Sequence, residues 1–132
     1  MAGWPAEVRD GLAVEVRRVA DRLRTLSEAQ LGAAAGPHPS RAAGARSLAQ
    51  VLAVATQGLD ERTAAGEPAW RQVPMLSGFA AGDQVAVTGE DLLAALEAVD
   101  PGETVWAPGA RRTAAEVVAD AAERLAALRR AL

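Results

Sequence analysis

The sequence predicts an all-α fold: a four-helix bundle with a short extra helix after the first long one and a kinked third helix. Two observations carry this. Apolar residues recur at three- and four-residue intervals through four long segments, the spacing that lines one face of a helix. Helix-start signals, in which a Ser or Thr is followed three residues later by Glu or Gln, stand at Ser27 with Gln30, Ser47 with Gln50, and Thr113 with Glu116. The one stretch that alternates like a strand, Gln84 to Thr88, has no second strand to pair with, and an unpaired strand is not stable. A chain of 132 residues fits one domain built on a single core.

The first helix spans about Pro5 to Leu26, with proline near its first turn, where a missing N–H costs nothing. Val8, Leu12, Val16, Val19, Leu23 and Leu26 form its buried stripe, and Arg9, Asp10, Arg17, Asp21 and Arg24 point outward. Ser27 to Leu31 makes the short extra helix. Gly36, Pro37 and Pro39 then discourage regular structure from Gly32 to Gly44. The second long helix is expected to start at Ser47, with Leu48, Val51, Leu52, Ala55 and Leu59 inward, and to end near Gly66. Glu67-Pro68 opens a linker that carries Trp70 and runs to Pro74. In the third helix Leu76, Phe79, Val85, Leu92, Leu93, Leu96 and Val99 supply the core face. Gly78, Gly82 and Gly89 interrupt it, each costing roughly 1 kcal/mol relative to alanine. A kink or break is therefore expected near Thr88-Gly89, with Glu90 and Asp91 capping the restart. Asp100-Pro101-Gly102 ends this helix, and a loop with Trp106, Pro108 and Gly109 leads to the last one. That helix, Thr113 to Leu132, buries Val118, Ala122, Leu125, Leu128 and Leu132, with acids early and arginines late to suit the helix dipole.

Composition narrows the function classes. With no cysteine, thiolate nucleophiles and thiolate metal sites are excluded, and the single histidine, His38, excludes a multi-histidine metal site within one chain. His38, between two prolines, reads as a surface residue, since no Ser or Cys nucleophile pattern accompanies it. A formal charge of −3 with no basic stripe gives no reason to expect nucleic acid. No apolar run approaches the roughly 18 residues of a membrane span. The N-terminal MAGWPAEVRD lacks the pattern of a signal peptide, so a cytoplasmic location is expected. Every basic residue is arginine, and Lys, Ile, Asn and Tyr are missing, a bias expected of a GC-rich, actinobacterial genome rather than of a function. Phosphate-binding glycine loops, Walker motifs and catalytic triads are absent from the sequence.

Two stretches resemble a known family. Ser47-Leu48-Ala49-Gln50-Val51-Leu52-Ala53-Val54-Ala55 is similar to the second-helix motif of DinB-like proteins, and more closely to that of the N-terminal domain of mycothiol-dependent maleylpyruvate isomerases. The run from Gly89 to Leu132, with its Asp-Pro, its Pro-Gly and its Thr-Ala-Ala-Glu helix start, resembles the rest of that domain. The resemblance covers about 90 residues, and the first helix is compatible with it. It implies a metal site joining a histidine of helix two to a glutamate and, four residues later, a histidine of helix four. Carried over, those positions are Val54, Arg124 and Leu128, and the tryptophan of the helix-two turn is matched by Arg46. A guanidinium repels a metal ion and aliphatic side chains offer it no donor, so no metal and no other cofactor is expected.

The expected protein is therefore a DinB-like bundle that acts by binding, either a small ligand between its helices or a protein partner, including a second copy of itself. Arg124 is the lead candidate: its stem can lie along the core while its head reaches water, or its cation can take a carboxylate or phosphate in place of the lost metal. Val54 and Leu128 read as core. Trp70 and Trp106, both in connections, either plug the ends of the bundle or rim a ligand pocket; Arg111-Arg112 reads as a solvated pair. The rival expectation is a mycothiol- or other thiol-dependent isomerase or transferase working without metal. In it the bound thiol is the nucleophile and Arg124 orients an acidic substrate, with Glu90, Asp91 and Glu123 the only acid–base candidates. A third is a structural or regulatory module encoded beside an enzyme.

Overall fold

Each long helix of the computed structural model, which describes residues 3–132, forms where an apolar stripe meets a defined start. α1 (Ala6–Arg24) follows Pro5, whose carbonyl accepts from the Val8 and Arg9 amides at 3.1 and 3.3 Å. Leu12, Val16, Val19 and Leu23 are buried along it, whereas Val8, on the same stripe, is exposed at the first turn. α2 (Glu28–Gly32) has its expected capping box: the Ser27 amide donates to Gln30 Oε1 at 2.8 Å and the Gln30 amide to Ser27 Oγ at 3.2 Å. The chain then turns tightly through Ala35–His38, closed by paired amide–carbonyl bonds of 2.9 and 3.2 Å.

α3 (Arg41–Asp60) differs from expectation at both ends, starting before Ser47 and stopping short of Gly66. Its N-cap is Ser40, whose Oγ accepts from the Ala43 amide at 3.0 Å, so Ser47 lies inside the helix and forms no capping box with Gln50. A cap set upstream nucleates the helix, and propagation through Ser47 is then favourable. Gln50 instead serves the linker. Its Nε2 donates to Arg71 O at 2.8 Å and its Oε1 accepts from the Val73 amide at 2.8 Å. Two turns along the same face, the buried Gln57 does likewise, with Ala69 O at 2.9 Å and the Arg71 amide at 3.0 Å. Two side-chain amides thus hold an irregular segment against the helix, satisfying backbone groups that have no ladder of their own.

α4 (Ala81–Ala95) is unbroken through Thr88-Gly89, which corrects the expected kink or break. Short 3₁₀ turns precede it at Gly78–Ala80 and follow it at Leu96–Ala98. Its glycines are there for contact. A Cβ on Gly89 would overlap the Val16 Cγ1 methyl and lie 2.8 Å from Cγ2; one on Gly82 would lie 2.8 Å from Ala20 O. Both positions, two turns apart, let α1 approach α4 closely. Thr88 donates its hydroxyl back to Gln84 O at 2.8 Å, and Glu90 and Asp91 are exposed mid-helix residues rather than caps. Leu76 and Phe79, expected in the core, are 53% and 66% exposed.

The loop with Trp106 is a β-hairpin. β1 (Thr104–Ala107) and β2 (Ala110–Thr113) pair antiparallel, Val105 opposite Arg112 and Trp106 opposite Arg111. Pro108 presets the turn, and Gly109 takes the positive φ of 75° that closes it. β2 runs directly into α5 (Ala114–Ala131), whose Thr113–Glu116 capping box is present as expected, with the Glu116 amide donating to Thr113 Oγ1 at 3.2 Å. On α5, Val118, Leu125 and Leu128 are buried, while Ala122 and Leu132 are only half-buried at the edge of the core. α1 packs on α4 and α5, and α3 packs on the same two, so the four long helices contact one another in a closed cycle with the hairpin against α3 and α5. Leu12, Val16, Leu52, Leu59, Val85, Leu92, Leu96, Val105, Val118 and Leu125 belong to one buried cluster. The chain is thus mostly helical, with one small sheet.

Candidate functional site

Where the hairpin meets α3 and α5, the helices part into a cleft of ≈ 340 Å³. Val51, Val54 and Ala55 line it from α3, Val117, Asp120 and Arg124 from α5, and Trp106, Pro108 and Arg112 from the hairpin. The hairpin can sit there because of Gly58: a Cβ at that position would overlap the Trp106 carbonyl oxygen. Trp106 is held by its indole N–H, which donates to Ala64 O at 3.1 Å, and by the Arg111 guanidinium 4.4 Å from the ring centroid. Arg111 also donates to Arg62 O and Thr104 O, at 3.0 and 3.2 Å, so it braces the hairpin and is not half of a solvated pair.

Arg124 and Asp120, one turn apart on α5, form an ion pair with Nε 3.0 Å from Oδ2. Both side chains are partly in solvent, so the pair contributes little to stability. It does fix the guanidinium's plane, and the terminal nitrogens of Arg124 have no protein partner among the described residues. Nor has Arg112 an ion-pair partner among them. The cleft therefore offers apolar walls, an indole and two cationic forks, with Asp120 its one carboxylate.

A smaller cleft of ≈ 140 Å³ adjoins it, sharing Val51 and Arg124 and lined further by His38, Ser47, Leu48 and Leu128. His38 is half-buried here, not a free surface residue. The closed Ala35–His38 turn lays its ring beside Gly44, where a Cβ would come within 2.9 Å of His38 Cδ2 and 3.1 Å of Leu128 Cδ1.

Among the expected site residues, Arg124, Val54 and Trp106 come together in the larger cleft and Leu128 stands in the adjoining one. Val54 is only half-buried, since it faces the cleft rather than the core, whereas Leu128 is 5% exposed. Trp70 lies elsewhere. Its indole N–H donates to Glu67 Oε2 at 2.8 Å and its ring packs over Gly58, outside both clefts. The same Glu67 carboxylate accepts from the Gly109 amide at 3.2 Å. The Trp70 bond first, and the Gly109 bond second, hold its carboxyl below the usual carboxylate value. Sequence reasoning missed Arg112, Asp120 and His38 as members of the site. The i, i+4 spacing of Asp120 and Arg124 was a readable signal; Arg112 required the hairpin register, and nothing local marked His38.

The metal site of the resembled family does not fit these residues. At its three positions stand a half-buried isopropyl group, a guanidinium and a buried isobutyl group, none of which can ligate a cation. Among the described residues there is no group of three or more His, Asp or Glu side chains able to hold one. No helix of the described residues is long and apolar enough to cross a membrane. Comparison of the chain with protein-family models, curated proteins and solved structures finds no match.

Proposed function

We propose that this protein is a DinB-like four-helix bundle, free of the family's metal, that acts by binding a small acidic molecule with a flat or apolar body in the α3–α5 cleft. The closed cycle of contacts among the four long helices supports the bundle assignment. The observation that carries the functional reading is the open face of Arg124: a guanidinium oriented by Asp120 and unpartnered at its terminal nitrogens, at the mouth of an apolar cleft. Such a fork matches a carboxylate in bidentate geometry. Trp106 offers the ligand a π face, and the cleft volume falls in the range of small-molecule pockets, about 300–1,000 Å³. Asp120, the cleft's one carboxylate, is engaged with Arg124, which favours binding over general acid–base work.

The test is titration calorimetry with an aromatic carboxylate series beginning at benzoate and naphthoate, alongside their amides. The acids are expected to bind and the amides to bind at least tenfold more weakly. Arg124→Gln should remove most of that discrimination while leaving the melting temperature nearly unchanged. Equal binding of acid and amide, or an Arg124→Gln variant that binds as the wild type does, would overturn the reading. So would stoichiometric zinc or nickel in the purified protein.

A further inference from the structure

Further along the surface of α3, next to the α3–α5 cleft and sharing Gln50 and Val51 with it, lies a third cavity, of ≈ 530 Å³, bounded by α3, the start of α4 and the linker between them. Its one charged lining residue is Arg46. Arg46 is half-buried, its Nε is buried without a hydrogen-bond partner, and it forms no ion pair among the described residues. A buried guanidinium N–H without an acceptor is costly, and no carboxylate lines this cavity to offset the cost. Around it stand neutral polar groups. Gln50 and Gln84 are occupied in tethering the linker, to Arg71 and Val73 and to Pro74 respectively, which leaves Ser47, Gln72 and Ser77 available.

Part of the lining is apolar and exposed. Met75 and Leu76 line the cavity while 79% and 53% exposed, and Phe79, just beyond, is 66% exposed. Scattered apolar side chains on a surface need no explanation, but a run of large ones at the rim of a cavity marks a place where apolar surface is to be covered. A lone cation beside exposed apolar side chains describes one kind of ligand: a monoanion at one end, a hydrocarbon chain at the other.

We infer that the α3–α4 cavity is a binding site for an amphipathic monocarboxylate, its carboxylate on Arg46 and its apolar chain along Met75 and Leu76. This site adjoins the α3–α5 cleft through Gln50 and Val51 but has its own cation and apolar wall, since Arg124, Arg112 and Trp106 take no part in it. Decanoate is the probe, with decanol and decyltrimethylammonium as its neutral and cationic counterparts. Calorimetry on the full chain is expected to show decanoate binding at least tenfold more tightly than decanol and the cation not binding. Arg46→Gln, which breaks no ion pair among the described residues, should lose at least tenfold in decanoate affinity; Leu76→Ser should lose several-fold; Arg124→Gln should be unaffected. Amide chemical-shift changes should fall on Gln72, Leu76, Ser77 and Gly78 and spare the hairpin. Equal binding of decanoate and decanol, an undiminished Arg46→Gln variant, or shift changes centred on Trp106 would each overturn the inference. The last would move decanoate to the α3–α5 cleft, leaving that reading intact.

Discussion

Gly89 looks like a helix breaker in the sequence and is a contact residue in the structure. The propensity scale counts what a glycine costs its own helix and is silent about what a neighbouring helix gains by coming close. Alanine at position 89 would recover about 1 kcal/mol of helix propensity. It would also drive a methyl into Val16, a β-branched residue with one preferred rotamer in a helix and little room to yield. Overpacking of this kind typically costs about 1–3 kcal/mol, so urea denaturation of Gly89→Ala is expected to show a net loss of roughly 1–2 kcal/mol. Val16→Ala should cost less in that background than in the wild type, since the smaller side chain relieves the overlap. Additive single and double variants would show that the two residues do not press on each other. Arg124 teaches the complementary lesson: its type and its spacing from Asp120 are sequence facts, but its open face depends on what does not pack above it.

Among the elements, the hairpin and the α3–α4 linker are the least regular and the most dependent on named side chains. Gln50 and Gln57 hold the linker to α3, and Glu67 joins linker to hairpin by accepting from Trp70 and Gly109. Because those bonds favour the ionised carboxylate, the Glu67 pKa in the folded protein lies below its ordinary value of 4.5. By linkage, the group's contribution is fully present above the unfolded pKa and is lost as the pH falls through the lower folded one. Glu67→Gln is therefore expected to lower the melting temperature at pH 7, with the gap to wild type closing as the pH drops below 4.5. A gap that stays constant from neutral to strongly acidic pH would mean that the charge on Glu67 does not clamp the hairpin. Since β1 carries Trp106 and β2 carries Arg112, loosening this clamp should also weaken aromatic-acid binding in the α3–α5 cleft.

For the molecule as a whole, one buried cluster draws on α1, α3, α4, α5 and β1. Ion pairs that link helices across it, among them Arg129 with Glu15 at 2.8 Å and Arg24 with Asp83 at 2.8 Å, are partly solvated and secondary to it. Because that one cluster draws on every long helix, the chain is expected to unfold in one step. Far-UV circular dichroism and tryptophan fluorescence are expected to report the same urea midpoint, with Trp4, Trp70 and Trp106 sampling three different places. Non-coincident transitions would show that the hairpin and linker unfold apart from the helices.

Local order along the chain was enough to establish the helical class, four long amphipathic segments, two of the three capping boxes and most of the residues facing inward on α1 and α5. A 3.6-residue apolar period and a side chain that reaches a backbone amide three residues on need no distant partner. The sequence also marked Arg124, Val54, Trp106 and Leu128 as worth watching. The remaining features waited on tertiary packing, because each is a meeting of residues far apart in the chain. Helix α4 is continuous because Gly82 and Gly89 admit α1. The stretch around Trp106 is a hairpin because its two strands have each other and Gly58 beneath them. Trp70 left the site because Glu67 and Gly58 hold it elsewhere. The cleft itself exists because α3, α5 and the hairpin leave space that no one of them encodes alone.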